Sequence, residues 1–310
     1  MQVERREIVD RKQWLNEWRP NYVGASESPA LFGEHKYLTR LKLHVAKRGV
    51  DFPFDDNKIV RRGRWLEPAI GKAVAELRPD WKVTPATDFY CADDPRMSAT
   101  PDFYIEAPRG RGVLQTKSTN WSVWHNDWHD GAQAPLGVLI QASQEALLAD
   151  ADFAAVAALL VDPSNMDCKI FEFDRDPVAE AKIVETIKEF WAEVAACREP
   201  APDFAKDAET LKKMYPAEAP GSVVDLSGNN RAPELLAERA DLMAAGKDID
   251  KQIEAIDAEV RHMLKDAESA KLPGWRITNK VSEFKEYTVG PRSTRVLRIY
   301  DRREKEMQQS

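Results

Sequence analysis

The chain has 310 residues, 35.1 kDa, 43% apolar and 31% charged residues and a net charge of −7, the composition of a globular protein with ample material for a buried core. No apolar run approaches the roughly 20 residues a membrane span needs, and the opening MQVERREIVDRKQW is charged and lacks an apolar leader core, so neither a membrane helix nor a secretory signal is expected. Cys91, Cys168 and Cys197 lie far apart, which excludes a disulfide framework and a four-cysteine metal site within the chain and makes a reducing, cytoplasmic setting the expectation.

The charge is uneven: residues 1–120 sum to +4, 121–210 to −12, 211–270 to −4 and 271–310 to +5. Nucleic-acid binders are usually basic overall, so any DNA contact here has to come from local basic patches.

In chain order, residues 1–50 read as short helices around the loop VGASESPALFGEHKY (23–37), where Ser26 is placed to cap a following helix, and LTRLKLHVAKRG (38–49) reads as a helix ending at Gly49. DFPFDDN (51–57) is a polar turn. From Arg61 to Leu77, apolar residues at 65, 66, 69, 70, 73, 74 and 77 give a helical period, with Glu67 at the edge of the stripe. Pro79 ends that helix. Residues 81–118 read as strands, with MSATPDFYIE and GVLQTKS joined through the turn APRGRG. Period two puts Gln115 and Lys117 on one face and Leu114 and Thr116 on the other.

NWSVWHNDWHDGAQAP (120–135) is aromatic-rich and ends in a loop. His125 and His129 are spaced i, i+4, but the glutamate of a helical zinc motif is absent, and Trp124 and Trp128 are expected to pack or to line a DNA channel. Residues 135–149 are helical and carry Gln141, FAAVAALLV (153–161) is a buried strand, KIFEFD (169–174) a half-exposed one and 176–197 a helix. EPAPDF (199–204) and YPAEAPGS (215–222) bracket a Pro-rich stretch, so the expected division is 1–222 and 223–310. Residues 232–266 form a long helix or helical hairpin with heptad-like apolar spacing, followed by two short strands in 274–289 and a basic tail.

The sharpest local signal is Pro101-Asp102 followed, thirteen positions after Asp102, by Gln115-Thr116-Lys117, with Glu67 on the preceding helix. An acidic residue and an acceptor on adjacent strands can hold Mg²⁺, which neutralises phosphate charge and lowers the pKa of a bound water. A lysine on the same face can orient that water or stabilise developing charge.

Five segments in order, GASESPALFG (24–33), RRGRWLEP (61–68), SATPDFYI (98–105), GVLQTKSTN (112–120) and APLGVLIQ (134–141), resemble the phage recombination exonucleases, the lambda exonuclease and YqaJ group of the PD-(D/E)xK nucleases. The resemblance covers roughly residues 20–175. It implies an α/β, restriction-endonuclease-like fold: a central mixed sheet flanked by helices, with a C-terminal helical and strand appendage. It implies that Glu67 stands near the metal, that Asp102 and the carbonyl of Thr116 bind it, that Lys117 is catalytic, that Ser26 lies near DNA phosphates and that Gln141 stands beside the active site. Arg61 and Arg62 flank the phosphate-side motifs. The family carries Glu where this chain has Gln115; a Gln carbonyl can ligate a cation but brings no charge, so weaker metal affinity is expected.

The function so implied is a Mg²⁺-dependent exonuclease, with Mn²⁺ able to substitute. It digests linear double-stranded DNA 5′ to 3′ and leaves 3′ overhangs for a single-strand annealing protein. A homo-oligomer, with a trimer as family precedent, and the cytoplasm of a bacterial host go with that function. The rivals are an endonuclease on the same core and a catalytically weak DNA-binding protein, the latter suggested by Gln115.

Overall fold

The computed structural model describes residues 1–10, 13–50, 52, 58–162, 166–283 and 295–299, which fall into two compact units, Met1–Tyr215 and Pro216–Ser310. The expected polar turn at 51–57 lies, apart from Phe52, outside the described residues. In the first unit the strands and α-helices run β1 (Val3–Glu7), β2 (Val23–Gly24), α1 (Arg40–Lys47), α2 (Lys58–Leu77), β3 (Lys82–Pro85), β4 (Asp88–Asp93), β5 (Arg96–Ala99), β6 (Phe103–Ala107), β7 (Gly110–Thr119), α3 (Trp121–Asp127), α4 (Leu136–Leu148), β8 (Phe153–Val161), β9 (Met166–Asp174), α5 (Pro177–Ala195) and α6 (Ala208–Met214).

The continuous apolar run of β8 is buried on both faces, and its alternation sorts the helices. Phe153, Ala155, Ala157 and Leu159 pack with Ile70 and Val74 of α2. Ala154, Val156, Ala158 and Leu160 pack with Trp124, Trp128, Ala142 and Ala146. The sheet between them has the order β3-β6-β7-β8-β9. Its β7–β8 pair is parallel and the others antiparallel. This is the α/β architecture, a mixed sheet flanked by helices, that the sequence implies.

A second sheet, of order β1-β4-β5-β2, is not foreseen. Its strand β1 corrects the expectation of helices alone in residues 1–50: VERRE carries no clear period, and its pairing with β4, from Val3↔Ala92 to Glu7↔Asp88, makes it a strand. The run SATPDFYI, expected as one strand, is two. Residues 96–99 belong to the four-stranded sheet and 103–107 to the five-stranded one. Pro101 lies in the gap, where its missing N–H cannot interrupt a ladder.

The APRGRG turn joins β6 to β7 as an antiparallel hairpin, with Gly110 at φ +123°, backbone that favours glycine. Helix α1 is capped by Thr39, whose side chain accepts from Lys42 N at 3.0 Å. Ser26 is not a cap: it is exposed in the turn before the 3₁₀ segment Ser28–Phe32, and Glu27 holds that turn by accepting from Gly24 N at 3.0 Å. In α2 the buried face is narrower than the apolar period suggests, since Trp65 and Leu77 are 75% and 54% exposed while Ile70, Gly71 and Val74 are buried.

In the second unit, α7 (Arg231–Leu264) is one helix that runs through Gly246, not a helical hairpin, and β10 (Ser269–Leu272) pairs antiparallel with β11 (Trp275–Thr278). Leu242, Ile249, Ile253 and Ile256 on α7 are largely exposed. Of the strands expected in 274–289, the part at 284–289 lies outside the described residues, as does most of the basic tail.

Helix α2 approaches the sheet through Gly71, where a Cβ would stand 2.4 Å from two ring carbons of Phe103. Phe103 is itself buried in the cluster that holds Ile70, Val74, Leu114 and Phe153. Gly71→Ala is expected to lower unfolding free energy by about 1–3 kcal/mol through overpacking, measured by urea denaturation. Wild-type stability would place α2 farther from β6 than described.

Candidate active site

The parity of β7 decides which side chains meet which helix. Val113 packs in the cluster that holds Ala142 and Ala146 of α4, while Leu114 packs with α2. Gln115 and Lys117 share the face of Val113, as period two requires, and both reach Gln141 of α4. Lys117 Nζ donates to Gln141 Oε1 at 2.9 Å, and Gln141 Nε2 donates to Gln115 Oε1 at 2.8 Å.

Asp102 closes the group from the other strand. It stands between β5 and β6, one residue before the Phe103↔Leu114 pair. Its Oδ2 accepts from Thr116 N at 2.7 Å, Thr116 Oγ1 at 2.7 Å and Gln115 Nε2 at 2.8 Å. Gln115 therefore faces Asp102 with its amide nitrogen, and for its carbonyl to ligate a cation beside Asp102 the amide would have to turn over. The Thr116 carbonyl accepts from Gln115 Nε2 at 3.2 Å. Burial holds the Asp102 carboxyl above the usual carboxylate range, opposed by the Lys117 charge and by the Thr116 N–H and hydroxyl.

The structure thus brings Asp102, Gln115, Thr116, Lys117 and Gln141 into one hydrogen-bonded cluster. Glu67 is half-buried on α2, one turn before Gly71 on the face that lies against Phe103. Arg62 Nη2 donates to the carbonyl of Thr119 at 3.0 Å, which ties α2 to the end of the strand that carries Lys117. Arg61 is exposed on the same helix, and Ser26 takes no part in the cluster. Trp124 and Trp128 stack at 5.8 Å and are core residues. Arg109 pairs with Asp174 and Glu172 on β9.

Two residues that the sequence did not single out complete the surroundings. Gln144 is fully buried and donates through Nε2 to the carbonyls of Val23 at 3.1 Å and Ser98 at 2.9 Å, so α4 ties β2 and β5 of the other sheet to the cluster. Glu145 is 1% exposed, and its Oε1 accepts from Gln141 Nε2 at 2.9 Å. Burial, and then the charge of Asp102, push the Glu145 carboxyl well above its ordinary range, against Gln141 and Lys117. The signal for Glu145 was its place one helical turn after Gln141, on the same face.

Among the described residues, no group of three or more His, Cys, Asp or Glu side chains is arranged as a ready-made metal cage. The converging donors nevertheless suit a hard dication: they are carboxylate and carbonyl oxygens without sulfur or imidazole. The second oxygen of Glu145 is buried without a hydrogen-bond partner.

Residues 13–152, which hold this whole cluster, match the model of the YqaJ-like viral recombinase domain family. That stretch is similar to the YqaJ-like viral recombinase domain, and the resemblance seen in the motifs is borne out. Among solved structures, an alkaline exonuclease from Laribacter hongkongensis is 18% identical, with 66% of this chain and 97% of that chain covered and a TM-score of 0.47. A phage related exonuclease from Haemophilus somnus 129PT is 16% identical, with 56% and 95% covered and a TM-score of 0.41. No curated protein matches the chain.

Gln144→Ala leaves two strand carbonyls without their donor and opens space beside the cluster. The expected loss of stability is about 2–4 kcal/mol, read by chemical denaturation; a loss within ~0.5 kcal/mol, the range of ordinary surface substitutions, would mean that α4 does not join the sheets through this side chain.

Proposed function

We propose that the protein is a Mg²⁺-dependent deoxyribonuclease that digests linear double-stranded DNA from its ends, 5′ to 3′, and leaves 3′ single strands. The observation that carries this reading is the convergence of Asp102, Thr116 and Lys117 on one buried cluster, within the stretch that matches the YqaJ-like domain. Asp102, the Thr116 carbonyl and Glu67 are the groups that would hold the cation, with Gln115 as a neutral neighbour. Mg²⁺, or Mn²⁺ in its place, supplies neutralisation of phosphate charge and a more acidic water at such a site.

The chain's own residues do the positioning. Gln141 holds the Lys117 ammonium by a 2.9 Å bond, and Lys117 on the face of Gln115 can orient a water or meet charge that develops on a phosphate oxygen. Thr116 fixes Asp102 Oδ2 with two donors, which leaves the other oxygen of Asp102 to face an incoming cation. Arg61, Arg62 and Ser26 are the candidates for holding the terminal phosphate by charge-assisted hydrogen bonds. The product strands would pass to a single-strand annealing protein, in the cytoplasm of a bacterial host. The exposed apolar residues of α7 suit self-association into a homo-oligomer. No helix among the described residues is long and apolar enough to cross a membrane.

One observation favours a second reading, DNA binding without turnover: three donors from Thr116 and Gln115 already engage one oxygen of Asp102. Substitution separates the two. Asp102→Ala and Lys117→Ala are each expected to lower Mg²⁺-dependent release of nucleotides from duplex DNA by a factor on the order of 10² or more, with circular dichroism unchanged. Binding that persists with no cleavage by the wild-type protein would establish the second reading.

End recognition has its own test. Linear duplex with 5′ phosphates is expected to be degraded faster than the same duplex with 5′ hydroxyls, and added salt to slow both as phosphate contacts are screened. Equal rates on the two duplexes would contradict 5′-end recognition, and efficient cutting of closed circles would point to an endonuclease.

A further inference from the structure

We infer that Glu145, on α4, supplies to the cation the carboxylate that the strand lacks at Gln115, so that it joins Asp102 and Glu67 among the acidic groups of the site. The inference rests on the metal-dependent nuclease reading above.

The first support is an unmet bonding requirement. Glu145 is 1% exposed, and one of its oxygens has no hydrogen-bond partner. A buried carboxylate left half-satisfied is costly. Protonation does not remove the problem, because an O–H at that oxygen would lack an acceptor. A cation resolves it in the ionised form.

The second support is position. The amide nitrogen of Gln141 donates both to Glu145 Oε1 at 2.9 Å and to Gln115 Oε1 at 2.8 Å, so a single amide separates the helix carboxylate from the strand side chain.

The third support is charge. A dication in a low-dielectric pocket beside a lysine needs two carboxylates more than it needs them on a particular element. Beside Asp102 and Glu67, Glu145 on the facing helix restores the one negative charge that Gln115 in place of a strand glutamate removes.

Direct titration of the full chain with Mn²⁺, without DNA, followed by the electron paramagnetic resonance signal of the free ion, reads this apart from activity. Glu145→Gln, which keeps the shape and an acceptor for Gln141, is expected to weaken Mn²⁺ binding on the order of 10-fold or more, in the range by which groups that support a metal site change affinity. The double variant Gln115→Glu/Glu145→Gln, which moves the carboxylate to the strand, is expected to regain most of that affinity. A purely structural Glu145 would give no such recovery. Glu145→Gln with wild-type affinity, alongside loss of affinity in Asp102→Asn, would overturn the role of Glu145 while leaving the metal site at Asp102 in place. Absence of Mn²⁺ binding by the wild-type chain would overturn the metal-dependent reading itself, and this assignment with it. A thermal melt in EDTA establishes that each variant is folded, and Glu145→Asp, which keeps the charge on a shorter side chain, serves should the amide variant not fold: its Mn²⁺ affinity is expected to fall, and wild-type affinity would count against the assignment.

Discussion

Pro101 has no N–H to give to a strand ladder, and the chain leaves one sheet at Ala99 and enters the other at Phe103. Asp102 falls in that gap. Its half-buried carboxylate is met by the backbone N–H and hydroxyl of Thr116 and by the amide of Gln115. Those three donors fix the register of the strand end against its neighbour. They also set Lys117 on the face that looks toward α4. Break this one arrangement, and neither the lysine nor the acid keeps its place.

Helix α4 is the second half of the constraint. Successive polar side chains on an otherwise apolar helix face different partners: Gln141 serves Gln115, Lys117 and Glu145, whereas Gln144 serves the carbonyls of Val23 and Ser98 on the other sheet. The helix is thereby held against both sheets near the point where the chain crosses between them. Small residues let this happen. Ala142 and Ala146 on the helix meet Ala154 and Ala158 on β8, so the backbones come close enough for short amide side chains to span the gap. The accumulation of charge at that junction, two carboxyls and an ammonium, is costly for folding and is the kind of cluster found at functional sites.

Much of this is legible in the sequence wherever periodicity decides the outcome. The apolar run 153–161 is a strand buried on both faces, the alternation at 113–117 places Gln115 and Lys117 together, and the buried positions 183, 187, 190 and 191 form the inner face of α5. What failed depends on partners remote in the chain. Nothing local in SATPDFYI says that its halves pair with different strands, and VERRE is a strand because β4 lies beside it. Ser26 has the chemistry of a cap but not the backbone position, and Glu27 holds the turn instead. The direction of the Gln115 amide depends on Asp102 and Gln141 from opposite sides. Glu145 reads as a solvated helix glutamate until the packing of α4 shows that its face is the inner one.

Purified protein incubated with end-labelled linear duplex, in Mg²⁺ and in EDTA, measures directly whether this cluster hydrolyses DNA ends with the help of a dication. The expected result is progressive loss of one strand from the ends in Mg²⁺ and an intact duplex in EDTA. A duplex left intact in both, under conditions where the protein binds it, would contradict the account, and so would degradation that proceeds equally in EDTA.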